Sequence, residues 1–117
     1  MEKEFLFFYN ERTHLSYKIF QNAKLDSRIF YYSSATDYPR PEAYKEDIKL
    51  ASKSKNKSKT YRDIAAGAES GWDFSSRWFG SSNSFESIST TNVIPVDLNV
   101  LMILNMRILS KFAKILG

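Results

Sequence analysis

Apolar and polar residues change their spacing along this chain at points that mark separate elements. Phe5 to Tyr9 form a dense apolar block behind Glu2 and Glu4, so residues 2–10 read as the last part of a helix. Over residues 13–19 the pattern alternates, with Leu15, Tyr17 and Ile19 against Ser16 and Lys18, which is the period of a strand. Residues 28–32 read as its hairpin partner, across a Gln21-Asn22-Ala23-Lys24 turn.

Pro39-Arg40-Pro41-Glu42 ends extended structure, because proline removes a ladder donor, and Pro41 with Glu42 suits the first turn of a helix reaching about Ala51. Thr60, followed three residues later by Asp63, predicts a variant capping box that opens a second helix. Its Ala65-Ala66-Gly67-Ala68 run lets another backbone approach closely. Gly67 costs about 1 kcal/mol relative to alanine unless packing offsets it. Ser70-Gly71 ends that helix, and Gly80-Ser81-Ser82-Asn83-Ser84 is a polar loop. Pro95-Val96-Asp97 opens the last helix, with Asp97 as its cap and a run to Leu116 that is apolar on nearly all sides, the pattern of a buried helix. Asn99, Asn105, Arg107, Lys111 and Lys114 interrupt it short of the roughly 20 apolar residues that a membrane span needs. No internal repeat is visible.

The 117 residues are one domain's length at most, and 43% hydrophobic with 15% aromatic is too apolar for a disordered chain. There is no cysteine, which excludes disulfides, thiolate metal sites and a cysteine nucleophile within this segment. The start, Met-Glu-Lys-Glu-Phe-Leu-Phe-Phe, lacks the basic leader and small-residue cleavage site of a signal peptide, and secreted or cytoplasmic residence both stay open. The net charge of +4 comes from one run: residues 49–62 hold six of the seventeen basic residues and no acid, and without them 11 basic residues face 13 acidic ones. A Lys-Ser alternation of this kind solvates a loop. No aromatic interleaves the lysines from 53 to 59, as a stacking platform for bases requires, so no nucleic-acid partner is expected. His14 is the only histidine and sits on the polar side of the first strand, and one histidine cannot make a metal site.

The richest chemistry lies in Glu69-Ser70-Gly71-Trp72-Asp73-Phe74-Ser75-Ser76-Arg77-Trp78-Phe79, an acid among aromatics directly after a glycine. Aromatic walls that exclude water raise the pKa of a carboxyl group and let it hold a proton for delivery. Flat rings also suit the C–H faces of a sugar. On the residues alone, the plainer reading takes the aromatics as core and Asp73 as a turn cap.

Three blocks decide between these readings. Pro-Arg-Pro-Glu-Ala-Tyr-Lys-Glu-Asp from Pro39, Ala-Glu-Ser-Gly-Trp-Asp-Phe-Ser-Ser-Arg-Trp from Ala68, and Ile-Pro-Val-Asp-Leu-Asn from Ile94 resemble three blocks of the trehalases, in that family's order. The resemblance implies a mainly α chain, a segment of an (α/α)6 toroid barrel with a small β-hairpin decoration, in which residues 1–117 are part of a catalytic domain whose flanking parts are missing. It implies inverting hydrolysis of α,α-trehalose to glucose by the full-length protein, with Asp73 as general acid and with Arg40, Pro41, Glu42 and Gly71 holding sugar. Trp72 is expected near the sugar, and Phe74 and Trp78 in packing. No metal or organic cofactor is implied.

An inverting enzyme needs a second carboxylate as base, about 6.5–9.5 Å from the acid. In trehalases this is a glutamate far downstream of the middle block, and Asp97, Glu69 and Glu42 are poor substitutes for it here. Ala43 stands where the family usually has serine. A non-catalytic sugar-binding remnant is the alternative. A partial toroid also leaves faces bare, so Phe5 to Tyr9 and the helix after Asp97 are expected to expose apolar surface beyond the usual few hundred Å².

Overall fold

The computed structural model describes residues 1–15 and 28–117, with the side chains of His14 and Leu15 outside that description. The described chain is mainly helical. It divides into two compact units, one of Met1–Tyr31 with Ile94–Gly117 and one of Tyr32–Val93.

In the first unit, helix α1 spans Glu2–Glu11, as its apolar block predicts, with Glu2 and Glu4 in the first turn, where the helix dipole favours anions. Arg12 N–H closes its end on the Phe8 carbonyl at 3.0 Å. Strands β1, Thr13–Leu15, and β2, Arg28–Phe30, then pair antiparallel, with Thr13 opposite Phe30 and Leu15 opposite Arg28. The expected pairing of the two segments is observed. Residues 16–19 of the first strand and the turn at 21–24 lie outside the described residues, and β2 stops at Phe30 rather than at 32.

Helix α4 spans Val96–Leu116. Its N-cap is Pro95, and Asp97 lies inside the first turn, so the capping role expected for Asp97 is not the one it has. An acid at that position still complements the positive end of the helix dipole. Asn99 does more than interrupt an apolar run. Its side-chain amide accepts from Phe30 N–H at 2.9 Å and donates to the Phe30 carbonyl at 2.8 Å, as a neighbouring strand would, and it also donates to the Pro95 carbonyl at 2.7 Å.

In this chain α4 is not the buried helix that its pattern describes, and the apolar surface expected to lie bare on α1 and on the helix after Asp97 is exposed. Only Leu98 and Met102 of α4 are buried, and Val100, Leu101, Ile103, Leu104, Phe112 and Ile115 are exposed. Leu6 and Phe7 of α1 are exposed as well. One short helix and a hairpin cannot surround a 21-residue helix with apolar residues on every face.

In the second unit, Pro41–Ala43 form a 3-10 turn that leads into helix α2, Tyr44–Ser52. Helix α3 follows at Lys57–Glu69, and the two pack against each other around Leu50, Ala51, Ile64 and Ala66. The predicted capping box at Thr60 is displaced by one turn. The N-cap is Asn56, whose side chain accepts from Lys59 N–H at 3.0 Å. Lysine is a good helix former, so the helix reaches back through Lys57 to the earliest residue able to cap it. Thr60 is buried in its second turn. Asp63, also buried, receives Thr91 N–H at 2.9 Å and the Thr91 hydroxyl at 2.6 Å on one oxygen, and Lys59 Nζ on the other. Lys59 and Lys53, paired with Asp63 and Glu86, are therefore not simply solvated.

The polar loop at Gly80–Ser84 is closed by Gly80 N–H on the Ser87 carbonyl and Ser89 N–H on the Trp78 carbonyl, flanking a Phe79–Ile88 bridge. Trp78 is fully buried and meets Tyr32 edge to face, with centroids 6.1 Å apart.

Candidate active site

All six residues singled out from sequence lie in the second unit. Arg40, Pro41 and Glu42 form the entry to α2, and Gly71, Trp72 and Asp73 the loop that leaves α3.

At the entry, Pro41 occupies the first position of the 3-10 turn, where the missing N–H costs nothing, and Arg40 precedes it in an extended conformation. The Arg40 side chain turns back along α2 to Asp47. Nε donates to Oδ2 at 2.9 Å, Nη2 donates to Oδ1 at 2.8 Å, and the Arg40 backbone N–H also reaches Oδ2 at 3.0 Å. Asp47 is 3% exposed. Its hydrogen bond raises the Arg40 pKa above the ordinary guanidinium value, outweighing the lowering effect of burial, and the charges of Asp47 and Glu42 act in the same direction. Arg40 is thus a permanent cation. Its remaining nitrogen, Nη1, lies 4.0 Å from Glu42 Oε1, and the Glu42 side chain is 68% exposed.

At the other end, Ser70 caps α3, its hydroxyl donating to the Gly67 carbonyl and accepting from Trp72 N–H at 3.1 Å. Gly71 then takes φ of +69°, a region strained for any L side chain, and turns the chain out of the helix as Ser70-Gly71 predicts. Phe74 folds back onto the helix at Gly67. Its ring lies 5.0 Å from that of Phe85, and the Arg40 guanidinium carbon sits 5.5 Å from its centroid. The two motifs therefore meet through Phe74, the residue directly after Asp73.

Trp72 is 53% exposed, with the Arg77 guanidinium carbon 4.9 Å from its ring centroid. Asp73 is exposed too. The expected enclosure of this carboxyl between indole and phenyl rings is not formed by its own neighbours, because Phe74 points at Gly67 and Trp72 is held by Arg77. The cavities that open on this unit include two formed by described residues. One of about 350 Å³ is lined by residues that include Lys59, Asp63 and Ser87, and one of about 290 Å³ by residues that include Leu50, Lys53 and Phe85. Neither is lined by Arg40, Glu42, Gly71, Trp72 or Asp73. Among the described residues, no group of three or more His, Asp or Glu is placed to hold a metal, and no helix is long and apolar enough to cross a membrane.

Chemically, the arrangement offers a fixed fork of donors, an accessible carboxylate beside it, an open indole face and an accessible acid. Phe74 lies in packing, as expected from the sequence, which did not name Gly67, Phe85 or Arg40 as its partners, and sequence reasoning assigned Asp47 no role of its own. Asp47 closes the first motif seven positions after Arg40, about two helical turns on, and that spacing was the available signal.

The protein family described as Trehalase matches residues 1–117. A trehalase of Pimpla hypochondriaca is 40% identical over 124 aligned positions, covering 100% of this chain and 20% of that protein. A trehalase of Dictyostelium discoideum is 47% identical over 91 positions, covering 74% of the chain and 15% of its own length. A periplasmic trehalase of Escherichia coli O1:K1 / APEC is 43% identical over 88 positions, covering 74% and 16%. The chain spans about a fifth or less of the length of these curated relatives.

Proposed function

The chain belongs to the trehalase family, and from that premise we propose that it is part of a catalytic domain that hydrolyses α,α-trehalose to glucose with inversion. Asp73 is the general acid, protonating the oxygen between the two glucose units as the bond breaks. The base is a carboxylate supplied from outside this segment. Arg40 and Glu42 hold glucose hydroxyls, Gly71 sets the turn that presents the acid, and Trp72 offers a flat face to the sugar.

The observation that carries this reading is the pairing of Arg40 and Glu42. A donor and an acceptor 4.0 Å apart are too far for a direct hydrogen bond, yet one hydroxyl can accept from the first and donate to the second. Phe74, beneath the same guanidinium, ties this pair to the loop that carries Asp73. Water exclusion at Asp73, which a general acid needs, falls to parts of the protein beyond this segment.

The test is Asp73→Asn in a full-length trehalase carrying this segment. Loss of a general acid typically lowers kcat by roughly 10² to 10⁴-fold, and trehalose binding should persist. Undiminished glucose release by that variant would end the assignment. If the unmutated protein binds trehalose saturably without turnover, the segment is a sugar-binding remnant instead.

A further inference from the structure

We infer that Asp47 is a positioning residue for sugar binding, acting through Arg40; the inference rests on the reading of Arg40 as a donor to sugar hydroxyls. A guanidinium carries five N–H donors in a rigid plane. Asp47 takes one from Nε and one from Nη2, which fixes that plane, and it takes the Arg40 backbone N–H as well, which fixes the turn from which the side chain grows. Both ends of the arginine are therefore held by one carboxylate. Phe74 lies against the guanidinium and limits tilt out of the plane.

What this clamp leaves free is also informative. Both Asp47 oxygens are engaged, as a buried carboxylate requires, whereas Nη1 lies 4.0 Å from the exposed Glu42, too far for a direct hydrogen bond. Any arginine held side-on by one carboxylate keeps its Nη1 donors, and here they are directed to the side of the exposed Glu42. Aiming one nitrogen of a fork by tying down the other two is the geometry of a preorganised binding group, whose ordering cost is met before ligand arrives. Asp47 sits on the buried face of α2 with Leu50 and Ala51, so the helix itself sets its position.

The experiment is a double-mutant cycle on kcat/KM for trehalose in a full-length trehalase carrying this segment, using Asp47→Asn, Arg40→Lys and the pair. Asp47→Asn is expected to lower kcat/KM by roughly 10 to 100-fold, the scale of displacing a binding group by about 1 Å. Arg40→Lys is expected to cost a similar factor, and the pair to match Arg40→Lys alone within about twofold, because lysine has no planar fork for Asp47 to orient. Losses that multiply in the pair would show that Asp47 acts independently of Arg40, overturning the inference while leaving the sugar-binding reading intact. An unchanged kcat/KM in Arg40→Lys would overturn both. Should Asp47→Asn fail to fold, Arg40→Ala with Asp47 in place gives the second measurement. Added guanidinium ion should restore activity saturably by docking on Asp47, and methylammonium ion should not. Equal response to the two ions would count against the clamp.

Discussion

Phe74 Cε1 stands 2.6 Å from the position that a Cβ on residue 67 would occupy, with Thr90 Oγ1 at 3.4 Å from the same point. Gly67 is thus the seat of the Phe74 ring. Gly67→Ala improves helix propensity by about 1 kcal/mol, but crowding a packed site costs about 1–3 kcal/mol, and the second effect wins. The expected outcome in a full-length enzyme is a lower Tm together with a fall in kcat/KM, since the displaced ring both supports Arg40 and adjoins Asp73. A higher Tm with full activity would show that the ring has another place to go.

Asn99 is expected to tolerate aspartate poorly, despite equal size. Asn99→Asp keeps an acceptor for Phe30 N–H but sets a carboxylate against the Phe30 and Pro95 carbonyls, to which the amide now donates. The predicted loss is about 1–3 kcal/mol at neutral pH by denaturant unfolding, the scale of leaving buried polar groups unsatisfied. The loss should shrink as pH falls and the introduced carboxyl regains a proton to donate. A pH-independent loss would show that donation to the two carbonyls is not what Asn99 contributes.

Glu86 supplies a pH dependence with a definite sign. A hydrogen bond from Lys53 at 2.7 Å, aided by a backbone N–H, the Lys53 charge and Ser84, lowers its pKa from 4.5 to about 2. A depressed folded pKa means that the pair favours the folded state above the unfolded value of 4.5, and that this contribution is lost as pH falls towards about 2. Both side chains are solvent-exposed, so salt screens the pair and its share of stability is small. Lys53→Ala should move the Glu86 titration, followed by NMR, back towards 4.5 with little change in Tm. A titration midpoint that stays near 2 would locate the cause elsewhere.

Elements set by local chemistry were legible in the residues. The apolar block of α1, the Pro41 start, the Ser70-Gly71 stop and the pairing of the two strands each follow from neighbours in sequence. Choices among equivalent residues were not. Asn56 and Thr60 can both cap a helix, and only the extended backbone at Asn56 decides between them. Asn99 reads as a flaw in an apolar helix until Phe30, 69 positions earlier, is placed beside it. The apolar run of α4 reports a need for cover without saying which residues provide it, and the bare surface expected of a partial toroid is what α1 and α4 show. At the candidate site, the motifs named Arg40 and Asp73. That Phe74 joins them depends on a ring finding its seat on α3.

Gly71 differs from Gly67 in what it requires. Among the described residues, nothing lies within 4 Å of where its Cβ would point, so an added methyl group would meet none of them. The restriction is one of handedness alone: at φ of +69° the chain turns in the sense natural to a mirror-image amino acid. The direction in which the acid departs from the helix end is therefore chosen by the chirality tolerated at a single α-carbon. It could be preserved with any side chain of the opposite configuration, however large the space around it.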